Sequence, residues 1–424
     1  MKRERLLILS SVVVVVIAFS GIVGAQTNKI TVWCWDPGFN IVAMETAREI
    51  YRDINPDAEI VIEEVAWEDL QTRLNVSFAA GQTSTLPDII LMQDNALQKF
   101  VYNYPDAFYD LSNSGIDFSR FAEFKVKIST INGKHYAVPF DNGAAINALR
   151  VDILEEAGYT IEDFEDITYS EYIRMGKDIL EKTGKALNSA LAGEPDLLML
   201  MMQSVGTWMF DENGEVNIAN NEKIKEIVKV YIELLESGVL VHVNEWDQYI
   251  SSIQSGTVAG TINGCWIIGS ITQQENQRGK WRITNIPRLD NVEGASNYSN
   301  QGGSSWMVLA SSANPELAAD FLKHTFAGSV ELYERILPST GAIATYLPAK
   351  DSDVYNQPHD FFGGQVVFAK IAEYADQVPE VNYGVYNYEA RDAIATAISK
   401  IIRGAAIDSA LQEAENTVKF IMNY

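Results

Sequence analysis

Residues Ile131 to Tyr159, INGKHYAVPFDNGAAINALRVDILEEAGY, decide how the chain is organised. The stretch opens on an Asn132-Gly133 turn and passes through the apolar run Tyr136-Ala137-Val138-Pro139-Phe140, which reads as a short strand. Asp141-Asn142-Gly143 follows, a polar trio that suits an exposed bend, and a strand feeding such a bend is a candidate hinge. Beyond it Val151, Leu154 and Ala157 recur at helical spacing, and Gly158 ends the run as a C-terminal cap does. The stretch therefore reads as the place where one lobe hands over to another.

Upstream, the pattern alternates. Ile30–Trp35 is rich in strand-forming residues, Ala47, Ile50, Tyr51 and Ile54 share a helical face, and Glu59–Val65 is a second strand. Leu70, Leu74 and Phe78 make another helical stripe ended by Gly81, and Asp88–Met92 is a third strand. This alternation builds a mainly parallel sheet, whose ligands lie beyond the carboxyl ends of the strands. The rule points to Trp35 and Asp36, to Trp67, and to Gln93-Asp94-Asn95.

Downstream, Thr168-Tyr169-Ser170-Glu171 has capping-box spacing and opens a helix. The methionine-rich run Asp196 to Met209 reads as buried core. Ile224, Ile227, Val228, Tyr231, Leu234 and Leu235 form an amphipathic helix ended by Gly238, and Thr257–Asn263 is a strand. Trp306–Ala310 is another strand, Asn314-Pro315-Glu316 starts a helix, and two helical stripes close the chain around Ile394 and Leu411.

The first residues, Met1 to Arg5, are basic, Leu6 to Phe19 is apolar but for two serines, and Val23-Gly24-Ala25 is a small-residue cleavage site. These features predict a secretory signal peptide, residues 1–25, cut after Ala25. With no Cys after the apolar run, the exported product is expected to be soluble in a periplasmic or other extracytoplasmic space and not a lipoprotein. Removing residues 1–25 takes away three basic residues and one acidic, so the formal charge of −25 becomes −27. Such a chain repels nucleic acid and anionic lipid. Cys34 and Cys265 sit in separate apolar runs and read as two buried thiols. About 400 residues exceed one ordinary core, so two lobes are expected.

Four stretches carry a family resemblance: the opening stretch, LPDIILMQD (Leu86–Asp94), SGTVAGTINGCW (Ser255–Trp266) and GGSSWMVLASSANPELAADFLKH (Gly302–His324). In this order and spacing the chain resembles the extracellular solute-binding proteins of carbohydrate ABC transporters, the maltose-binding-protein-like family 1. It departs at Asn147-Ala148-Leu149-Arg150, where many relatives carry a Tyr-Asn or Tyr-Arg pair. The resemblance implies an α/β, two-lobe periplasmic-binding-protein fold, each lobe a mainly parallel sheet flanked by helices, with a ligand cleft at the hinge. It also implies lobe boundaries: 26–141 and 303–348 in the first lobe, 142–302 and 349–424 in the second. A carbohydrate ligand, the permease of an ABC transporter and a monomeric state are the implied partners and form.

Enzyme signals are missing. The four histidines, His135, His242, His324 and His359, lack metal-ligand spacing, and there is no phosphate loop, dinucleotide fingerprint or nucleophile elbow. Neither cofactor nor metal is expected. Aromatic residues are more telling, because a sugar ring packs its C–H face on an aromatic plane while its hydroxyls need planar polar partners. Trp35-Asp36, Asp94-Asn95, Asp141-Asn142 and Trp266 offer that mixture, as do Tyr386 and Tyr388 with Arg391. Gly303 joins them at the start of the returning strand, and Trp67 and Trp208 suit core and cleft alike. Trp33 points to the opposite strand face from its neighbours and reads as core, Trp246 and Trp281 as surface or packing residues, and Trp306 as packing or hinge. The alternatives are a secreted carbohydrate-active enzyme and a binding protein for a non-sugar solute, an anionic one being disfavoured by the acidic surface.

Overall fold

A computed structural model describes residues 28–423, so the signal-peptide reading of residues 1–25 lies outside the described residues. Lys29–Cys34 pairs in parallel with Glu59–Glu64 on one side and Ile89–Gln93 on the other. The helices Asn40–Ile54 and Trp67–Ala80 are the crossovers, the second ended by Gly81 in a left-handed conformation. The returning strand Ser304–Val308 runs antiparallel to Ile89–Gln93 and also pairs with Val138–Pro139, completing a five-stranded sheet. Alternate side chains serve opposite faces of this sheet. Val32, Leu91, Trp306 and Val308 enter one core, while Trp33, Ile90, Met92 and Met307 enter the other.

The second lobe departs from a mainly parallel plan. Ala145–Arg150 lies between Gly260–Gly264 and Trp281–Thr284, both antiparallel to it. Parallel pairing is confined to Asn188–Leu191 with Leu240–Val243 and to isolated bridges such as Ala186 with Val258. The same two-residue period again splits the cores: Ala145 and Leu149 pack with the helix Glu222–Glu236 and the C-terminal helices Asn387–Ile402 and Ile407–Met422. Ile146 and Ala148 face Cys265, Trp281 and Phe368. Leu337 and Ile343, from the segment after the return, join this last core.

Asp141-Asn142 is not an exposed bend: both residues are buried and form a short strand antiparallel to Ile343–Ala344. Three crossing segments meet there, which buries both side chains. Gly143 shows how closely they approach, since a Cβ on it would stand 2.1 Å from the Gln301 carbonyl oxygen. Cys34 and Cys265 are both free and buried, and burial pushes the Cys34 thiol up to about 12. Trp306, fully buried against Phe140 and Phe326, is a packing residue, as is Trp281.

Candidate functional site

The wall contributed by the first lobe is built from strand ends. After Cys34 the chain turns, and the Asn40 side-chain oxygen accepts from the backbone N–H groups of Trp35 and Asp36, each at 3.0 Å. Asp36 is thereby left exposed beside the half-buried Trp35 ring, whose centroid lies 5.2 Å from that of the nearly buried Trp67. At the end of the next strand Asn95 enters the helix Asp94–Asn103.

The facing wall comes from the second lobe. The helix Asn387–Ile402 presents Tyr388 and Arg391, and the Tyr388 hydroxyl lies 2.7 Å from the Gln93 side-chain oxygen and 3.1 Å from that of Asn95. Burial holds the Tyr388 phenol well above its ordinary range, so it stays neutral and offers one proton to these two acceptors. Lys99 pairs with Glu389 alongside. Arg391 pairs with Glu194 and reaches Asp196 at 3.2 Å. Burial raises the Glu194 carboxyl, Arg391 opposes that, and the nearby Asp196 and Asp392 reinforce it, with a net upward result.

Trp266 is half-buried, its indole N–H donating to the Gln301 carbonyl at 3.0 Å. Trp246, 45% exposed, lies 6.0 Å from the Trp266 ring. The structure thus brings Trp35, Trp67, Asn95, Tyr388 and Arg391 into one interlobe surface, with Asp36 at its edge and Trp266 on the second lobe. Tyr386 only starts the helix and packs on the second-lobe core, and Trp208 is buried with its indole N–H on the Asn387 side chain at 2.8 Å.

Asp94, Asp141 and Gly303 sit deeper. The Lys125 ammonium, 1% exposed, pairs with Asp94 and donates to the backbone carbonyls of Asp141 at 2.8 Å and Ser304 at 3.1 Å. Asp141 accepts from the Ser304 N–H at 2.9 Å and hydroxyl at 2.5 Å. Burial raises the Asp141 carboxyl, Lys125 and Ser304 oppose this, and the balance remains upward. Asn142 also lines a separate groove of about 1230 Å³ between the lobes, walled by Phe121, Phe124, Lys127, Trp208, Phe210 and Tyr383. None of Trp35, Asp36, Trp67, Trp266, Tyr388 or Arg391 lines it. This groove, which Gln203, Asp211, Asn217 and Asn300 also line, and the polar-aromatic surface at the strand ends both lie between the lobes, and the latter sits where the strand-end rule places a ligand.

Glu194 is an addition that the sequence reading passed over, Asp196 stood there only as the start of a buried-core run, and Trp246, read there as a surface or packing residue, is exposed and lies against Trp266. Glu194 lies in the loop after the strand Asn188–Leu191 and Asp196 opens the helix that follows it, so the strand-end rule applied to the second lobe would have found them. Trp246 likewise opens the helix that follows a strand, Leu240–Val243, so the same rule reaches it. Among the described residues no cluster of His, Cys, Asp and Glu is arranged to hold a metal ion.

Comparison with known proteins decides the family. Residues 47–363 match the bacterial extracellular solute-binding protein family. The chain belongs to this family. A lactose-binding protein of Rhizobium radiobacter is 38% identical over 392 residues, 92% of each chain. An arabinooligosaccharide-binding protein of Halalkalibacterium halodurans is 24% identical over 90% of this chain and 87% of its own. Among solved structures, an ABC-transporter-associated binding protein from B. animalis subsp. lactis in complex with β-1,6-galactobiose superposes with a TM-score of 0.77. It shares 22% identity and covers 93% of this chain and 97% of its own, a likeness of fold. This solute-binding protein is therefore a two-lobe α/β molecule of the kind whose cleft lies between the lobes.

Proposed function

We propose that this protein captures a carbohydrate of mono- to oligosaccharide size between its lobes and delivers it to the permease of an ABC transporter. The supporting observation is the convergence of Trp35, Trp67 and Asn95 from one lobe with Tyr388 and Arg391 from the other. Tilted rings offer planes for sugar C–H faces, and amide, carboxylate and guanidinium groups match hydroxyls in fixed directions. Asp36, Glu194, Asp196, Trp246 and Trp266 extend this surface. The relatives that bind lactose and arabinooligosaccharide support the same class of solute.

The mechanism is closure. A ligand that touches both lobes binds the closed form better, and that difference in affinity shifts the population. The protein has no turnover role in this reading and is exported after cleavage at Ala25. A thermal-shift and calorimetric screen over lactose, maltose, β-1,6-galactobiose and arabino-oligosaccharides tests it. A ligand at a hundredfold excess over its dissociation constant should add roughly 2.7 kcal/mol of stability. Scattering should show the complex more compact than the free protein. Hydrolysis of the bound sugar would sink the transport reading in favour of an enzyme, and N-terminal sequencing that finds Met1–Ala25 retained would overturn the cleavage.

A further inference from the structure

The buried residues at the crossing segments form a polar knot rather than a lining for solute. We propose that Lys125 is a positioning residue: its ammonium ties the end of the strand Ile89–Gln93 to the outgoing and returning crossings and so sets the open-to-closed equilibrium of the lobes. Its effect on solute affinity rests on the carbohydrate-binding reading above, while its effect on lobe geometry does not.

Three chain segments distant in sequence meet at one nitrogen. Lys125 has three protons and three acceptors: the Asp94 carboxylate, the Asp141 carbonyl at 2.8 Å and the Ser304 carbonyl at 3.1 Å. The other Asp94 oxygen accepts from the Ser305 hydroxyl at 2.9 Å, so the knot has a second strap onto the returning strand. Gly303 has φ +95°, and a Cβ there would lie 2.7 Å from the Asp94 carboxylate, so the backbone is drawn in as far as a glycine permits. An apolar residue of similar size would fill the same interior without the cost of desolvating an ion pair. What the ammonium adds is direction, because two of its acceptors are backbone carbonyls of crossing segments. A rotation of either crossing leaves a buried donor and acceptor unpaired, which confines the crossings to a narrow range of angles. The knot also touches the rim, since Asn95 follows Asp94 and meets Tyr388 across the lobes.

Lys125→Met strands the Asp94 carboxylate in the interior, so Ser304→Ala, which removes one hydroxyl from the knot, is measured beside it. Probes attached at Gln82→Cys and Glu236→Cys, exposed positions on the two lobes, report interlobe distance while Cys34 and Cys265 stay buried and unlabelled. Both knot variants should shift the distance distribution of the unliganded protein. Each of lactose, maltose and β-1,6-galactobiose that the unaltered protein binds should weaken by one common factor, on the order of tenfold, because a smaller competent fraction taxes every ligand alike. A lower unfolding midpoint with unchanged distances would reduce the knot to a structural support and overturn the proposal. Loss confined to one sugar would place Ser304 or Lys125 in contact with ligand, also overturning it. Should the unaltered protein bind none of the three sugars, the carbohydrate reading fails on these probes, and the unliganded distances still decide the knot.

Discussion

Two pairs of acidic residues at the interlobe junction have opposite fates. Asp94 and Asp141 are buried; Asp94 has both carboxylate oxygens committed, to Lys125 and Ser305, and Asp141 has one committed, to the Ser304 N–H and hydroxyl. Glu194 and Asp196 keep about 40% of their side chains exposed (41% and 40%) around a single guanidinium, that of Arg391. Strand-end position nominates all four equally. The difference shows that a carboxylate's role depends on whether the protein has already supplied its partners, and that a group left half-solvated is the one available to a solute.

If the interior pair holds the crossing segments and the rim contacts solute, perturbing the interior should lower stability and weaken every sugar alike, whereas perturbing the rim should weaken binding with little loss of stability. The largest effect belongs to Lys125→Met, which should cost about 3–5 kcal/mol of folding stability in denaturant titration, the usual penalty for an uncompensated buried charge. An unchanged midpoint would mean that Asp94 finds another partner. Next, Trp266→Ala should cost about 2 kcal/mol or more of sugar affinity by calorimetry with a modest loss of stability. Unchanged affinity with a much lower midpoint would return the indole to the core beside Ile267 and Ile268. Tyr388→Phe deletes the hydroxyl shared by Gln93 and Asn95 and should weaken sugar binding by roughly 0.5–1.5 kcal/mol. No change would show that this hydroxyl adds nothing to binding beyond the packing of its ring. The smallest effect is expected for Lys99→Met, which breaks the partly exposed interlobe pair with Glu389 and should cost about 0.2–1 kcal/mol of affinity at low salt. Raising the ionic strength should erase that difference, since screening weakens a solvated pair.

Much of the fold was legible because its signals are local. Gly158 and Gly81 end their helices in left-handed geometry, as their positions suggested, and the Thr168–Glu171 capping box forms. Trp33 faces away from Val32 because neighbouring strand residues must. The antiparallel sheet of the second lobe was not legible, since strand direction depends on which partner a segment meets. The candidate site was legible in part: strand-end reasoning reached Trp35, Trp67 and Asn95, but it could not separate them from Asp94 or pair Trp246 with Trp266.

The sequence by itself determined which segments are strands and helices, where they stop, and that aromatic and polar side chains cluster at strand ends, because periodicity, caps and turns act over a few residues. Only the tertiary structure decided that Asp141-Asn142 is interior, that Lys125 closes on Asp94 from 31 positions away, and that Arg391 meets Glu194 from 197 away. Hydrogen-bond partners brought together by crossing segments have no sequence period, so a charged side chain's role is settled only when the fold either gives it a partner or leaves it facing the cleft.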